Sequence, residues 1–175
     1  MDISTKRLWL YNIATLFLPE SRCYRLKNAI LRWAGLEIGQ NVRIYSSARF
    51  IGTGEIEIGN DVHIGPQVLL YAAGGSKIKI GNCIDIAPRV SIVTGTHEID
   101  TIGNHIAGSG LAKSVDIGDG CWLCLSSLIL PGVSLAEKTI IAAGAVVTQS
   151  TTESQCLLAG VPACVKKSFD SNQTH

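Results

Sequence analysis

Residues 117–148 read IGDGCWLCLSSLILPGVSLAEKTIIAAGAVVT, and a large apolar residue recurs there at every sixth position. These residues are Ile117, Leu123, Ile129, Leu135, Ile141 and Val147. Four positions after most of them comes a smaller residue: Cys121, Ser127, Val133, Thr139 and Ala145. A period of six fits neither an α-helix of 3.6 residues per turn nor a strand that alternates with period 2. It predicts short strands that turn a corner every six residues and stack into a β-solenoid.

The same spacing extends upstream of this stretch. It runs through Ile38, Ile44 and Phe50, through Ile58, Ile64 and Leu70, and through Ile80, Ile86 and Ile92. Hexapeptide repetition of this kind is typical of a parallel β-helix. Several of these residues are followed by glycine, which suits a corner where a Cβ would crowd the next coil or need an unusual φ. We therefore expect one all-β domain from residue 38 to about residue 167.

Three interruptions of the spacing predict loops that leave the solenoid. The first two add two residues near Gly52 and four near Gly74. The third adds nineteen residues between Ile92 and Ile117, which predicts a loop over about residues 94–114. Long excursions from regular scaffolds are often functional. Because this one carries His97, we expect the chemistry there.

Composition and charge narrow the function classes. A chain of 175 residues has room for one domain, and 6% aromatic residues with 18 glycines suit a narrow core. The formal net charge is +1, and no DNA-binding or RNA-binding motif is found in the sequence. No nucleic-acid partner is expected.

Six cysteines include the CxxC pair Cys121 and Cys124, a spacing that elsewhere marks redox or zinc sites. The hexapeptide register places Cys121 in an inward position and Cys124 just after an apolar one, so the two thiols should point to different sides. We interpret them as structural cysteines of a reducing cytoplasm, and no metal ligands are assigned.

Residues 1–37 lack the repeat and predict an amphipathic helical segment. An apolar run from Leu8 to Leu18 ends at Pro19, and Ser21 is the expected N-cap of a second helix that runs to about Ala34. Eleven residues are too few to span a bilayer, which needs about 20. The segment should cap the open end of the solenoid, and its basic residues would also suit peripheral contact with an anionic membrane. Residues 168–175 are expected to form a flexible tail.

Five segments together resemble the hexapeptide-repeat acyltransferases. They are VTGTHEID at 93–100, IGDGCW at 117–122, LPGV at 130–133, AAGAVVT at 142–148 and AGVPA at 159–163. Within that superfamily they are most similar to the maltose, galactoside and polysaccharide O-acetyltransferase branch.

This resemblance implies a left-handed parallel β-helix, a homotrimer, acetyl-CoA as the acyl donor, and an active site in the groove between neighbouring subunits. The family's catalytic histidine corresponds to His97. Its donor-binding positions correspond to Trp122, Leu125, Ala143, Thr148 and a basic residue that is here Lys166 or Lys167.

Acetyl transfer to a hydroxyl needs a base, and a histidine with an ordinary pKa near 6.5 is mostly neutral at pH 7 and can accept the proton. The other ring nitrogen of His97 needs an acceptor to hold it. Asp100 is the first candidate, with Glu98 and a backbone carbonyl as alternatives. His63 and His105 are interpreted as surface residues.

The acceptor implied by the resemblance is a saccharide. Ala73 falls where family members that act on small free sugars tend to carry asparagine, which favours a surface polysaccharide or its lipid-linked precursor. Sugar N-acylation is an alternative on the same fold. Two further alternatives are a γ-class carbonic anhydrase and a non-catalytic scaffold. The γ-class carbonic anhydrases bind zinc through three histidines across a trimer interface.

Overall fold

The computed structural model describes residues 3–169 and shows two short helices followed by a parallel β-helix with three faces. The helices are α1 (Thr5–Ala14), which continues into a 3₁₀ turn at Thr15–Phe17, and α2 (Tyr24–Trp33). In chain order the strands are β1 (Glu37–Ile38), β2 (Arg43–Ile44), β3 (Arg49–Gly52), β4 (Glu55–Ile58), β5 (His63–Ile64), β6 (Leu69–Ala72), β7 (Lys77–Ile80), β8 (Asp85–Ile86), β9 (Ser91–Val93), β10 (Gly95–Ile99), β11 (Ala107–Ala112), β12 (Val115–Ile117), β13 (Trp122–Leu123), β14 (Leu128–Ile129), β15 (Ser134–Leu135), β16 (Ile140–Ile141), β17 (Val146–Val147), β18 (Cys156–Gly160) and β19 (Ala163–Ser168).

Each coil contributes one strand to each of three sheets. Sheet A has the order β1-β4-β7-β12-β15, sheet B the order β2-β5-β8-β13-β16-β18-β19, and sheet C the order β3-β6-β9-β14-β17. All pairings along these sheets are parallel except the final β18–β19 pair, which is antiparallel. The predicted solenoid is confirmed.

The residues that set the period of six form the core. Within one sheet they stack in register, as in Ile44 on Ile64 and Ile64 on Ile86. The smaller residues at the fourth following position are buried as well, from Val42 to Ala145. Removing each large aliphatic side chain from water stabilises the fold by about 1.5–3 kcal/mol. The core is therefore a stack of short apolar rows along the axis.

The corners between sheets A and B explain part of the glycine pattern. A Cβ on Gly39 would lie 2.5 Å from the carbonyl oxygen of Gly59 in the next coil, so glycine is needed here for close approach. The positive φ comes two residues later at non-glycine positions, for instance φ 53° at Asn41 and φ 56° at Asp61. Crowding between coils, and not an unusual φ, accounts for glycine after the apolar residue.

The amino-terminal segment is helical as expected, but one detail of the prediction is wrong. Helix α2 begins at Tyr24 after Cys23, so Ser21 is not its N-cap, because the chain is still turning where the Arg22 amide bonds to Pro19. Leu26 and Trp33 of α2 are half exposed.

The face of α2 that packs inward carries Lys27, Asn28 and Leu31. The Lys27 ammonium is buried because it donates hydrogen bonds to the Glu20 carbonyl and the Ser46 hydroxyl at 3.1 and 3.2 Å. Polar partners in the turn before α2 and in the first coil thus decide which face of α2 is buried.

The carboxyl-terminal end of the described chain is ordered further than the sequence indicates. Strand β19 folds back on β18 and covers the last edge of sheet B, and the Phe169 amide bonds to the Gln155 carbonyl. The predicted tail of residues 168–175 lies, beyond Phe169, outside the described residues.

Candidate active site

The long excursion is an antiparallel hairpin made of β10 and β11. It leaves the solenoid after β9 in sheet C and returns at β12 in sheet A, so it projects from the corner between these two sheets. At its base the Lys113 amide bonds to the Thr94 carbonyl at 2.8 Å. The buried Thr94 hydroxyl accepts hydrogen bonds from the Ala73 amide and the Ser76 hydroxyl. The root of the hairpin is therefore fixed to the preceding coil.

His97 lies in β10 next to this root and opposite Gly110 of β11. Its Nδ1 is 2.9 Å from the carbonyl oxygen of Gly108. Because a carbonyl only accepts, Nδ1 must carry the proton and donate it, which leaves the lone pair of a neutral ring on Nε2. The exposed imidazole therefore presents Nε2 as a base.

Asp100 does not bond to His97, for which it was the first candidate, but to main-chain amides. Its Oδ1 accepts hydrogen bonds at 2.8 Å from the amides of Ile102 and Gly103, where the hairpin turns. These two amides hold the pKa of the Asp100 carboxyl below its usual value. Of the three acceptors considered for His97, the backbone carbonyl at Gly108 is the one that bonds to Nδ1.

A cleft of about 480 Å³ opens beside the imidazole, between the hairpin and the second coil. The hairpin contributes Thr96, His97 and Leu111, and the coil contributes Tyr71 and Ala73. A Cβ on Gly95 would lie 3.0 Å from the Tyr71 ring, so glycine lets the hairpin root approach the phenol. Ligand sites commonly have volumes of about 300–1,000 Å³, and this cleft is large enough for a small acceptor beside Nε2.

The expected donor-binding residues lie on other parts of the solenoid. Trp122 is half exposed on the outer face of sheet B. Leu125 and Ala143 are exposed at the corner between sheets B and C, where the Gly144 amide bonds to the Leu125 carbonyl. Within one chain this group is separated from His97, because the hairpin leaves from the corner opposite sheet B.

The remaining donor-binding candidates lie towards the carboxyl-terminal end. Thr148 follows β17 on sheet C, on the same side as the hairpin but two coils further along. Lys166 and Lys167 are exposed in β19 at the edge of sheet B. The single chain therefore brings together Trp122, Leu125 and Ala143, and not the whole predicted set.

The two other histidines within residues 3–169, His63 and His105, do not line the cleft. His63 lies on sheet B with Nδ1 3.5 Å from the Asp85 carboxylate, and burial together with Arg43 lowers its pKa. His105 is exposed in the connection between β10 and β11. Among residues 3–169, no three His, Cys, Asp or Glu side chains are grouped closely enough to hold a metal ion.

The CxxC cysteines do not form a pair. Cys121 is buried and Cys124 is partly exposed, and both are free thiols. Burial raises the pKa of Cys121 to about 11, so its thiol is protonated at neutral pH and a poor nucleophile. The two cysteines flank β13 and differ in burial, so the thiols have different surroundings.

Two contributors to the cleft were missed at the sequence level. Tyr71 is an outward residue of β6, and only the pairing of β6 with β9 shows that it reaches the hairpin root. The Gly108 carbonyl carries no side-chain signal, and its role appears once β10 and β11 are paired.

Comparisons with known proteins define the class. No protein-family model matches the chain. The chain is 30% identical over 145 residues to the putative colanic acid biosynthesis acetyltransferase WcaF of Escherichia coli K12, covering 82% of this chain and 76% of that protein.

Two solved structures show the same architecture. One is the hexapeptide-repeat acetyltransferase VCA0836 of Vibrio cholerae in complex with acetyl-CoA, with 21% identity, 95% of this chain and 87% of that chain covered, and a TM-score of 0.77. The other is AntD, an N-acyltransferase from Bacillus cereus in complex with dTDP and 3-hydroxybutyryl-CoA, with 23% identity, coverage of 77% and 73%, and a TM-score of 0.66. The fold is thus the left-handed parallel β-helix of these enzymes.

The chain belongs to the hexapeptide-repeat acyltransferases.

Proposed function

We propose that the protein is an acetyl-CoA-dependent O-acetyltransferase that modifies a saccharide hydroxyl in the synthesis of a bacterial surface polysaccharide. The observation that carries this proposal is the orientation of His97, whose Nδ1 is held by the Gly108 carbonyl while Nε2 faces solvent beside the cleft. The similarity to WcaF supports a polysaccharide substrate. The acetyl-CoA bound to the Vibrio cholerae protein supports the donor.

His97 would act as the general base. Nε2 takes the proton of the acceptor hydroxyl while the acceptor oxygen attacks the thioester carbonyl carbon. The tetrahedral intermediate then collapses, the carbon–sulfur bond breaks, and the proton passes from the imidazolium to the CoA sulfur. Removal of such a base typically costs a factor of about 10²–10⁴ in rate.

The active assembly in this proposal is a homotrimer. His97 and Trp122 lie on opposite sides of one solenoid. A donor held by Trp122, Leu125, Ala143 and Thr148, with Lys166 or Lys167 near its phosphates, can therefore reach His97 if neighbouring chains pack side by side. Each active site would then lie between two chains.

Peripheral membrane contact on the cytoplasmic face completes the proposal. Among residues 3–169, no helix is long and apolar enough to cross a bilayer. Helix α1 and the 3₁₀ turn nevertheless expose Trp9, Leu16 and Phe17, by 61%, 65% and 83%. Exposed aromatic residues of this kind, next to basic ones, are typical of segments that lie in the membrane interface.

The test is a thiol-release assay with acetyl-CoA and a panel of sugars, amino sugars and nucleotide sugars. We expect CoA release only with an acceptor, and a loss of about 10²-fold or more in kcat for His97→Ala with little change in KM. The matched control is His105→Ala, an exposed histidine of the same hairpin, which should keep full activity. Equal activity of the two variants would exclude His97 as the base.

Sugar N-acylation is the second candidate, favoured by the structural similarity to AntD. The product distinguishes the two, because mild alkali cleaves an acetyl ester and leaves an acetyl amide intact. An alkali-stable product made only from amino sugars would replace the O-acetyl proposal.

A further inference from the structure

Helix α1 is apolar on two opposite sides. Leu8 and Tyr11 are buried against the first coil. Trp9 and Ile13 lie within about 40° of each other on the outer side, at 100° per residue, and Leu16 of the following 3₁₀ turn is exposed as well. Clusters of exposed apolar side chains commonly mark a site of contact with a protein or a membrane. The first coil supplies one partner, and the outer face needs another.

The outer face of α1 continues onto sheet C. Trp9 and Ile51 line one cleft of about 280 Å³ where α1 packs beside β3. Helix and strand are joined there by a hydrogen bond of 2.9 Å that the side-chain Nδ2 of Asn12 donates to the Phe50 carbonyl. Ile51 is half exposed and points outward.

Sheet C then carries this surface to the candidate active site. Ile51 pairs in register with Tyr71, and Tyr71 pairs with Val93, which directly precedes the hairpin root. Neighbouring strands lie about 4.8 Å apart, so the step from Ile51 to the Tyr71 ring in the His97 cleft is one strand spacing. Trp9, Ile51 and Tyr71 form what we call the apolar track.

The charge around the track suits a lipid environment. Apart from the buried Lys27, residues 3–36 contain five basic residues and one acidic residue, Glu20. Lys6 is exposed and lines a further cleft of about 500 Å³ together with Trp9 and Leu10. A basic side chain beside exposed aromatic and aliphatic residues matches an apolar chain that emerges from an anionic lipid surface.

We propose that the acceptor is a glycolipid, a saccharide attached to a long hydrocarbon chain, and that the first segment of this chain lies along the apolar track while the sugar occupies the His97 cleft. This inference rests on the proposed acyltransferase function and adds the class of its acceptor. Thr148, one of the proposed donor-binding residues, follows the strand that lies two strands beyond β9 on the same sheet.

The experiment compares two acceptors that share one sugar, a methyl glycoside and a decyl glycoside below its micelle concentration. For the wild type we expect kcat/KM for the decyl glycoside to exceed that for the methyl glycoside by about tenfold or more, because several methylene groups leave water on the track. The variants Trp9→Ser and Ile51→Ser should reduce this preference to nearly 1 and leave the methyl glycoside unaffected.

The matched control is Leu26→Ser, which changes a similarly exposed side chain (52%) on α2, outside the track. It should retain the full preference, and unchanged thermal unfolding of all three variants would show that they are folded. Equal kcat/KM for the two glycosides in the wild type, or loss of activity towards both in the track variants, would overturn the glycolipid inference alone. Failure of the wild type to acetylate any acceptor would instead overturn the proposed function.

Discussion

At the scale of single residues, the tautomer of His97 is set by a main-chain group. The Gly108 carbonyl cannot be removed by a side-chain substitution, so the orientation of the ring depends on the pairing of β10 with β11. A carbonyl also differs from a carboxylate in that it carries no charge and does not stabilise the imidazolium as strongly. The hydrogen bond to Gly108 thus fixes which ring nitrogen carries the proton and leaves Nε2 available.

The role of Asp100 can be tested by two substitutions. Asn keeps an oxygen that can accept from the amides of Ile102 and Gly103, so Asp100→Asn should keep kcat within about threefold, since His97 retains its partner. Asp100→Ala removes these bonds and should raise KM for the acceptor as the hairpin turn loosens. Steady-state kinetics of both variants provide the measurement.

A loss of about 10²-fold in kcat for Asp100→Asn would mean instead that the carboxylate orients His97 in the working enzyme.

The contribution of Asp100 to the stability of the hairpin turn depends on pH with a definite sign. Because the pKa of Asp100 is lowered in the folded state, its stabilisation of the turn is complete above its usual value of 3.8 and is lost as the pH falls through the lowered one.

At the scale of elements, the amino-terminal helices show where sequence patterns stop being sufficient. Their existence could be predicted from composition and Pro19, but the buried face of α2 could not. That face is chosen by hydrogen bonds from Lys27 to Glu20 and Ser46, which depend on the position of the first coil. Helical periodicity shows which side of a helix is apolar, but it does not show which side chains are buried against the rest of the protein.

We expect α1 and the following turn to bind lipid. The wild type should sediment with vesicles containing about a quarter anionic lipid. The affinity of the double variant Leu16→Ser/Phe17→Ser for these vesicles should be at least about tenfold lower than that of the wild type. The reason is that two large apolar side chains are no longer transferred from water into the membrane interface.

The control for this measurement is Ile102→Ser at the tip of the hairpin, where the isoleucine is 96% exposed. It should bind vesicles as the wild type does. Binding should also weaken as salt rises, since part of it is electrostatic. Sedimentation of the double variant equal to that of the wild type would exclude α1 as the membrane-binding element.

At the scale of the whole molecule, the solenoid could be predicted almost completely from the sequence, and the active site only in part. Each apolar residue of the repeat marks one strand of one coil, so the period specifies the fold directly. The cleft depends on contacts between non-adjacent segments, such as Tyr71 with the hairpin root. Contacts of this kind leave no periodic signal in the chain.

The separation of His97 from Trp122 predicts that activity requires two chains. His97→Ala and Trp122→Ala should each be nearly inactive at limiting acetyl-CoA. Mixed oligomers formed by co-expression in equal amounts should recover about a quarter of wild-type activity, because that fraction of interfaces joins an intact His97 to an intact Trp122.

Sedimentation equilibrium of the same samples gives the number of chains, and three are expected. Homo-oligomers of each variant, mixed without subunit exchange, are the control and should remain inactive. No recovery in verified mixed oligomers would place the complete site within one chain.

The solenoid closes beneath the hairpin as if the hairpin were absent. Strand β12 pairs directly with β7, and β14 with β9, although nineteen extra residues intervene in the sequence. The two ends of the hairpin are joined at its base by the hydrogen bond from the Lys113 amide to the Thr94 carbonyl. Insertions, deletions and substitutions beyond that bond therefore leave the packing of the coils untouched. The hairpin is thus an appendage that can change in length and sequence while the coils that carry it keep their pairing.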